Sequence, residues 1–250
     1  MADISNRYRF SEKDSAKIEL LGYSFNGIGI NTFAGFMQKH YAGFNLAYLL
    51  TYIEQLMVSH TTLSIIRRIY INGNTLQVIL ENDFNNEDDA LIFDRIFYKE
   101  KGILKVKHEF LVLPIAARNQ GLSKKILKAS LEQYLKMGID TIEIVAGLSK
   151  GAYVWARHGF VAVNPLEMKL ILNRARQQLT DGQFNIVEKI YSHYYTKNPQ
   201  GEDFPIDRWA NLPFMKDVLM RKESQWHGRL NLKNKEQLRK FEYYVSEQKK

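Results

Sequence analysis

The chain has 250 residues, 45% of them hydrophobic, a formal charge of +8 and no cysteine. That length and composition can bury a full core. The missing cysteines exclude disulfides, thiolate metal sites and cysteine nucleophiles, and fit a reducing, cytoplasmic setting. The positive balance points to an anionic partner, whether nucleic acid, membrane surface, acidic protein or a phosphate-rich cofactor, or else to a solvated basic surface.

The opening "MADISNRYRFSEKDS" lacks the apolar segment of a signal peptide. Residues 10–60 read as helical, with Leu46, Leu49, Leu50, Ile53, Leu56 and Met57 at helical spacing. Asn45, Glu54 and Gln55 interrupt the most apolar window (41–58), which therefore reads as a buried amphipathic helix and not a membrane span. "GIGINT" (27–32) has Thr32 where a dinucleotide loop needs its third glycine and lacks a predicted strand before it, so it reads as a plain loop. Two β-rich runs flank "NGN", a strong hairpin signal. Runs at 90–100 and 103–114 follow, joined at Lys101–Gly102, and complete an antiparallel meander. A helix is expected from about 121 to 136, closed by Gly138.

"TIEIVAG" (141–147) is a short apolar strand, so strand, helix and strand make a parallel crossover. Ser149 is placed to cap the short helix "KGAYVWARH", and "FVAV" is another strand. "NPLE" (164–167) combines an Asn cap, a proline at the first helical position and a glutamate three after the cap, opening a helix to about 179. A further helix at 183–195, a strand at "WHGRLNL" and a capped terminal helix complete the chain. "ENDFNNEDD" and "KNPQGEDFP" read as loops. Trp155, Trp209 and Trp226 read as packing residues.

The stretch "LPIAARNQGLSKKILKAS" (113–130) breaks a rule of helix electrostatics. The first turn of a helix has unpaired N–H groups and partial positive charge, and so favours Asp or Glu. Here it carries Lys124 and Lys125, with Arg118 just before. A loop that aims backbone N–H groups at one point, backed by that helix end, suits phosphate. Gly121 allows close approach, and Arg118 can fork onto phosphate oxygens. No nucleotide P-loop motif is present, which leaves R-x-x-G-x-S between a strand and a helix.

This arrangement resembles the GNAT family of N-acetyltransferases. The family's acetyl-CoA loop, [QR]-x-x-G-x-[GA], corresponds to "RNQGLS" from Arg118 to Ser123; the preceding Val-x-Pro corresponds to "VLP" (112–114), and the closing "GF" to Gly159–Phe160. The resemblance is good over 100–163 and extends to the meander from 62. It implies an α+β fold with a mixed, mainly antiparallel twisted sheet flanked by helices. The chain would form a single domain: N-terminal helices (1–60), a core (62–163), a helical insertion (164–225), and a last strand and terminal helix (226–250). It further implies that backbone groups of Phe110, Leu111 and Val112 pair with the pantetheine arm. The loop amides of Arg118, Asn119, Gln120, Gly121, Leu122 and Ser123, with Lys124, would hold the pyrophosphate. The chain departs from the family pattern in Ser123 for Gly or Ala, in one extra residue between Pro114 and Arg118, and in Trp155 where many members carry a general-acid tyrosine. An indole cannot do that work. Tyr153 is the substitute candidate, two residues earlier and about 200° round the helix.

Acetyl transfer to an amine needs a base. Strand alternation places Lys105, Lys107, Glu109 and Leu111 on one face, and His108, Phe110 and Val112 on the other. Glu109 stands where family members often place such a carboxylate; Glu143 is an acid inside an apolar run on a strand expected beside the first. The alternative for each is a surface ion pair. His108 reads as a packed or hydrogen-bonded strand histidine, and no histidine has metal-ligand spacing. The leading expectation is a CoA-dependent acyltransferase acting on an unidentified primary amine. The alternative is a non-catalytic GNAT-like interaction domain, similar to domains attached to larger proteins of bacteria and their phages. A nucleic-acid binder is the third reading, without helix-turn-helix or stacking signatures.

Overall fold

The computed structural model, which describes residues 8–147 and 151–246, is an α+β fold with mixed strand pairing. The chain divides into two units: the described residues up to Asp140 with Val245 and Ser246, and Thr141–Tyr244.

In the first unit, α1 (Glu12–Leu20), β1 (Ser24–Asn26), α2 (Ile30–His40) and α3 (Leu46–Met57) precede β2 (Ile65–Asn72), β3 (Thr75–Asn82), β4 (Ile92–Glu100) and β5 (Ile103–Val112); α4 (Leu122–Met137) follows. The strands lie in the order β1-β2-β3-β4-β5, with β1 parallel to β2 and the rest antiparallel. The turns fall where the sequence marks them. Gly73 (φ 59°) reverses the chain between β2 and β3, and Lys101 with Gly102 (φ 50° and 83°) between β4 and β5. Gly138, in the left-handed region, closes α4.

One sheet face is apolar through Ile69, Leu76, Val78, Leu80, Phe93, Phe97 and Val106, all buried. Phe97 shows what covers it: its ring lies 5.0 Å from Phe44, 5.9 Å from Tyr134 and 6.2 Å from Tyr41. Each such side chain contributes roughly 1.5–3 kcal/mol by burial.

Two expectations need correction here. Residues 10–60 are not uniformly helical, because β1 interrupts them, and "GIGINT" therefore does follow a strand. Three residues paired with a strand some forty positions later give no local periodicity to read. The alternation expected on β5 also fails beyond His108. The register slips between Asp94 and Arg95, so that Arg95 faces His108 while Asp94 faces Phe110. Glu109 is the extra residue of a β-bulge. Leu111 then stands opposite the buried Phe93, whereas Phe110 and Val112 stand opposite Asp94 and Ile92. His108 is buried and Phe110 exposed, where simple alternation would have paired them.

The second unit holds β6 (Thr141–Ala146), α5 (Gly151–Arg157), β7 (Val161–Ala162), α6 (Pro165–Gln178), α7 (Asp181–Lys197), α8 (Asp207–Ala210), α9 (Met215–Leu219), β8 (Trp226–Asn231) and all but the last two residues of α10 (Lys235–Ser246). β8 pairs antiparallel with both β6 and β7. Helices α6 to α9 lie within 164–225, and Asn164 caps α6 by accepting from the Leu166 N–H at 3.0 Å. The short α8 and α9 were not foreseen. Trp209 and Trp226 are fully buried; their indole N–H groups donate to the carbonyls of Val187 and Ala152. Gly159 has φ 95°, and a Cβ there would sit 2.6 Å from the Gln237 carbonyl. The glycine of the "GF" pair is thus required by packing against α10. Ser149 lies outside the described residues. Among those described, no helix is long and apolar enough to cross a membrane.

Candidate functional site

After β5 the chain makes a short 3-10 turn (Ile115–Ala117), then bends through Asn119 (φ 65°) and Gly121 (φ 77°) into α4. Both are left-handed positions, which Asn and Gly tolerate best. α4 starts with no side-chain cap and no acid in its first turn. Among the described residues, the backbone N–H groups of Asn119, Gln120, Gly121, Leu122 and Ser123 meet no acceptor. A helix start is ordinarily satisfied by Ser, Thr, Asp or Asn, or by water or a ligand.

The loop braces itself. Arg118 Nε donates to the Leu113 carbonyl at 2.8 Å, and Gln120 Nε2 to the Ala116 carbonyl at 2.7 Å. This holds the Arg118 side chain at the start of the loop, with its terminal nitrogens unpartnered among the described residues. A Cβ added at Gly121 would meet nothing within 4 Å, so the space over the loop is open. Lys125 is exposed. The arrangement can hold an anion through backbone donors, a helix end and cationic side chains.

β5 brings Phe110, Leu111 and Val112 up to this loop. Phe110 is exposed, and the other two are half-buried. Glu109 forms an ion pair with Lys107, the surface role weighed against catalysis. Lys105 pairs with Glu100 at 2.7 Å.

Beside the bulge the first unit holds a polar cluster that sequence reasoning missed. Asp94 is 9% exposed, and the Gln77 amide donates to both its oxygens at 3.0 and 3.1 Å. Burial, against that hydrogen bond and reinforced by the Glu109 charge, pushes its carboxyl up from the ordinary range. Arg95 is fully buried, and His108 Nε2 lies 3.0 Å from the Tyr134 hydroxyl. Burial, helped by the Arg95 charge, holds His108 far below an ordinary histidine. The Tyr134 hydroxyl is pushed up by its own burial. The available signal was "FDRIF": two adjacent charges inside an apolar strand run.

Glu143 and Tyr153 belong to the second unit, and each is matched there to an arginine. Glu143 stands opposite Arg229 in the β6–β8 ladder, and Arg229 is also held by Asp203 at 2.7 and 2.9 Å. The Tyr153 hydroxyl accepts from Arg157 Nη1 at 3.4 Å. Trp155 is half-buried against Phe160, Phe241 and Tyr244, with ring centroids 5.2 to 6.5 Å apart. Among the described residues no group of His, Asp and Glu is arranged to hold a metal ion. No protein-family model, curated protein or solved structure matches the chain.

Proposed function

We propose that this chain is a CoA-dependent acyltransferase with a GNAT-like core, moving acetyl from acetyl-CoA to a primary amine. The observation that carries the reading is the 119–123 stretch: consecutive N–H groups without acceptors, at the start of a 16-residue helix with no acid in its first turn. The Arg118 N–H, expected among the phosphate donors, is already bonded to the Ile115 carbonyl and leaves only its side chain for that task. In this reading the loop amides and Arg118 hold the pyrophosphate, and the Phe110–Val112 backbone pairs with the pantetheine arm. The amine nitrogen attacks the thioester carbonyl; the C–N bond forms, the C–S bond breaks, and the proton shed by the amine reaches the CoA thiolate through a base.

Glu109 is the carboxylate we assign to that proton. Its present partner, the Lys107 ammonium, is a cation of the kind the acceptor would bring, and has to give way to it. Glu143 and Tyr153 are weaker assignments because of their arginine neighbours. Titration with acetyl-CoA by calorimetry tests the reading, beside an Arg118→Ala/Gly121→Glu double variant. Micromolar binding that the variant loses is expected. Binding that survives the variant rejects the loop, and a folded wild-type protein that binds nothing rejects the function.

A second reading is a GNAT-like interaction domain without catalysis. It is favoured by one observation: Trp155, at the position of the family's tyrosine, is engaged with an aromatic cluster. It predicts acetyl-CoA binding without turnover, or no binding.

A further inference from the structure

A β-bulge leaves a residue unpaired and weakens the ladder around it. The one at Glu109 lies directly before Phe110–Val112, and a buried arginine closes it. Arg95 Nη1 donates to the carbonyls of Asp94 and Phe110, both at 2.7 Å, so one nitrogen bridges the two strands across the slip. The guanidinium carbon lies 4.5 Å from the centroid of the Phe93 ring. Nε and Nη2, although buried, have no hydrogen-bond partner, and the same holds for Nδ1 of the cross-strand neighbour His108.

Burial lowers the proton affinity of this guanidinium, yet arginine stays charged in proteins. A fully buried charge held by carbonyls, a ring and the nearby Tyr134 hydroxyl and Asp94 carboxyl, with two nitrogens outside hydrogen-bond geometry, is an expensive way to stabilise a sheet. An apolar side chain would fill the same volume at less cost. Its distinctive contribution is geometric: it fixes the relative position of two strands where the ladder cannot.

We propose that Arg95 is a positioning residue that clamps the bulge and so sets the Phe110–Val112 backbone and the direction of Glu109 for the acyl donor and acceptor. The clamp stands on the geometry alone; what it positions rests on the acyltransferase reading.

Two readouts on Arg95→Lys and Arg95→Met test it: amide hydrogen exchange over 109–112 without ligand, and acetyl-CoA affinity. In Arg95→Lys, exchange over 109–112 is expected to rise about tenfold while β2 and β3 keep wild-type protection, since the loosening is local. Acetyl-CoA affinity should fall about tenfold, the scale of one charge-assisted hydrogen bond. Unchanged exchange over 109–112 overturns the clamp. Exchange that rises equally throughout the sheet overturns it too, because that is ordinary destabilisation. Raised exchange with wild-type affinity overturns the positioning role. A wild-type protein that binds no acetyl-CoA defeats the acyltransferase reading, and the exchange result then decides the clamp by itself. Should neither variant fold, scalar coupling across hydrogen bonds from Arg95 Nη1 to the carbonyl carbons of Asp94 and Phe110 in the wild-type protein is expected, and its absence overturns the proposal.

Discussion

Two glycine loops in the first unit each carry the chain from a strand into a helix, and they differ in what presses on the glycine of positive φ; Gly29, which opens α2 at negative φ, has nothing within 4 Å of where a Cβ would stand. Gly27, between β1 and α2, has φ 99°, and a Cβ there would sit 2.0 Å from the Ile71 carbonyl oxygen. Gly121, before α4, has φ 77° and nothing within 4 Å of where a Cβ would stand. The first glycine is demanded by the protein's own backbone. The second leaves space that the protein does not fill, beneath N–H groups it does not use. A glycine-rich strand-to-helix loop is therefore a candidate ligand site only when the room it creates stays empty after folding.

The sharpest way to break that contrast is Gly27→Ala. Strain at positive φ and overlap with a backbone carbonyl should together cost about 3 kcal/mol. Thermal melting checks it, with a fall on the order of 10 °C expected for a chain of this size.

Acid sharpens the contrast from behind β5, the strand that feeds the second loop. The folded state holds His108 far below its ordinary value of 6.5, so the unfolded chain takes up a proton that the folded chain refuses. This contribution is intact above that value and lost as pH falls below it, by up to about 1.4 kcal/mol per pH unit. Asp94 works in the opposite sense lower down: its raised carboxyl favours the folded state in acid, and that gain fades as pH rises through and above 3.8. Stability measured by denaturant between pH 7 and 5 should decline, and His108→Asn should flatten the slope.

Gly121→Ala is the counterpart of the first substitution. It should cost only about 1 kcal/mol, from the left-handed backbone, while acetyl-CoA affinity falls because the new methyl enters the open space. A stability loss as large as that of Gly27→Ala would erase the distinction between the loops. The smallest effect is expected at Glu143→Gln in the second unit. Arg229 retains Asp203, so stability should change by no more than about 0.5 kcal/mol in chemical denaturation.

The local features of this fold were legible in the sequence because each rests on a few neighbouring residues. Gly73 and Lys101–Gly102 mark the meander's turns, Gly138 and Asn164 mark helix ends, and the acid-free start of α4 marks the unpaired amides. The clash at Gly159 with the Gln237 carbonyl was not legible, although the glycine was noticed, because the two positions meet only after folding. β1 was missed because its pairing with β2 joins residues far apart in the chain.

By itself the sequence determined the turns and strands of the meander, the caps at Gly138 and Asn164, the longer amphipathic helices and the positive start of α4. These depend on backbone preference and on periodicities that short windows carry. Only the tertiary structure decided the bulge at Glu109, the faces of β5 beyond it, and the meeting of Arg95 with His108 and Tyr134. A register slip of one residue reverses which side chains are buried, and that register is set by packing across strands, which no local window contains.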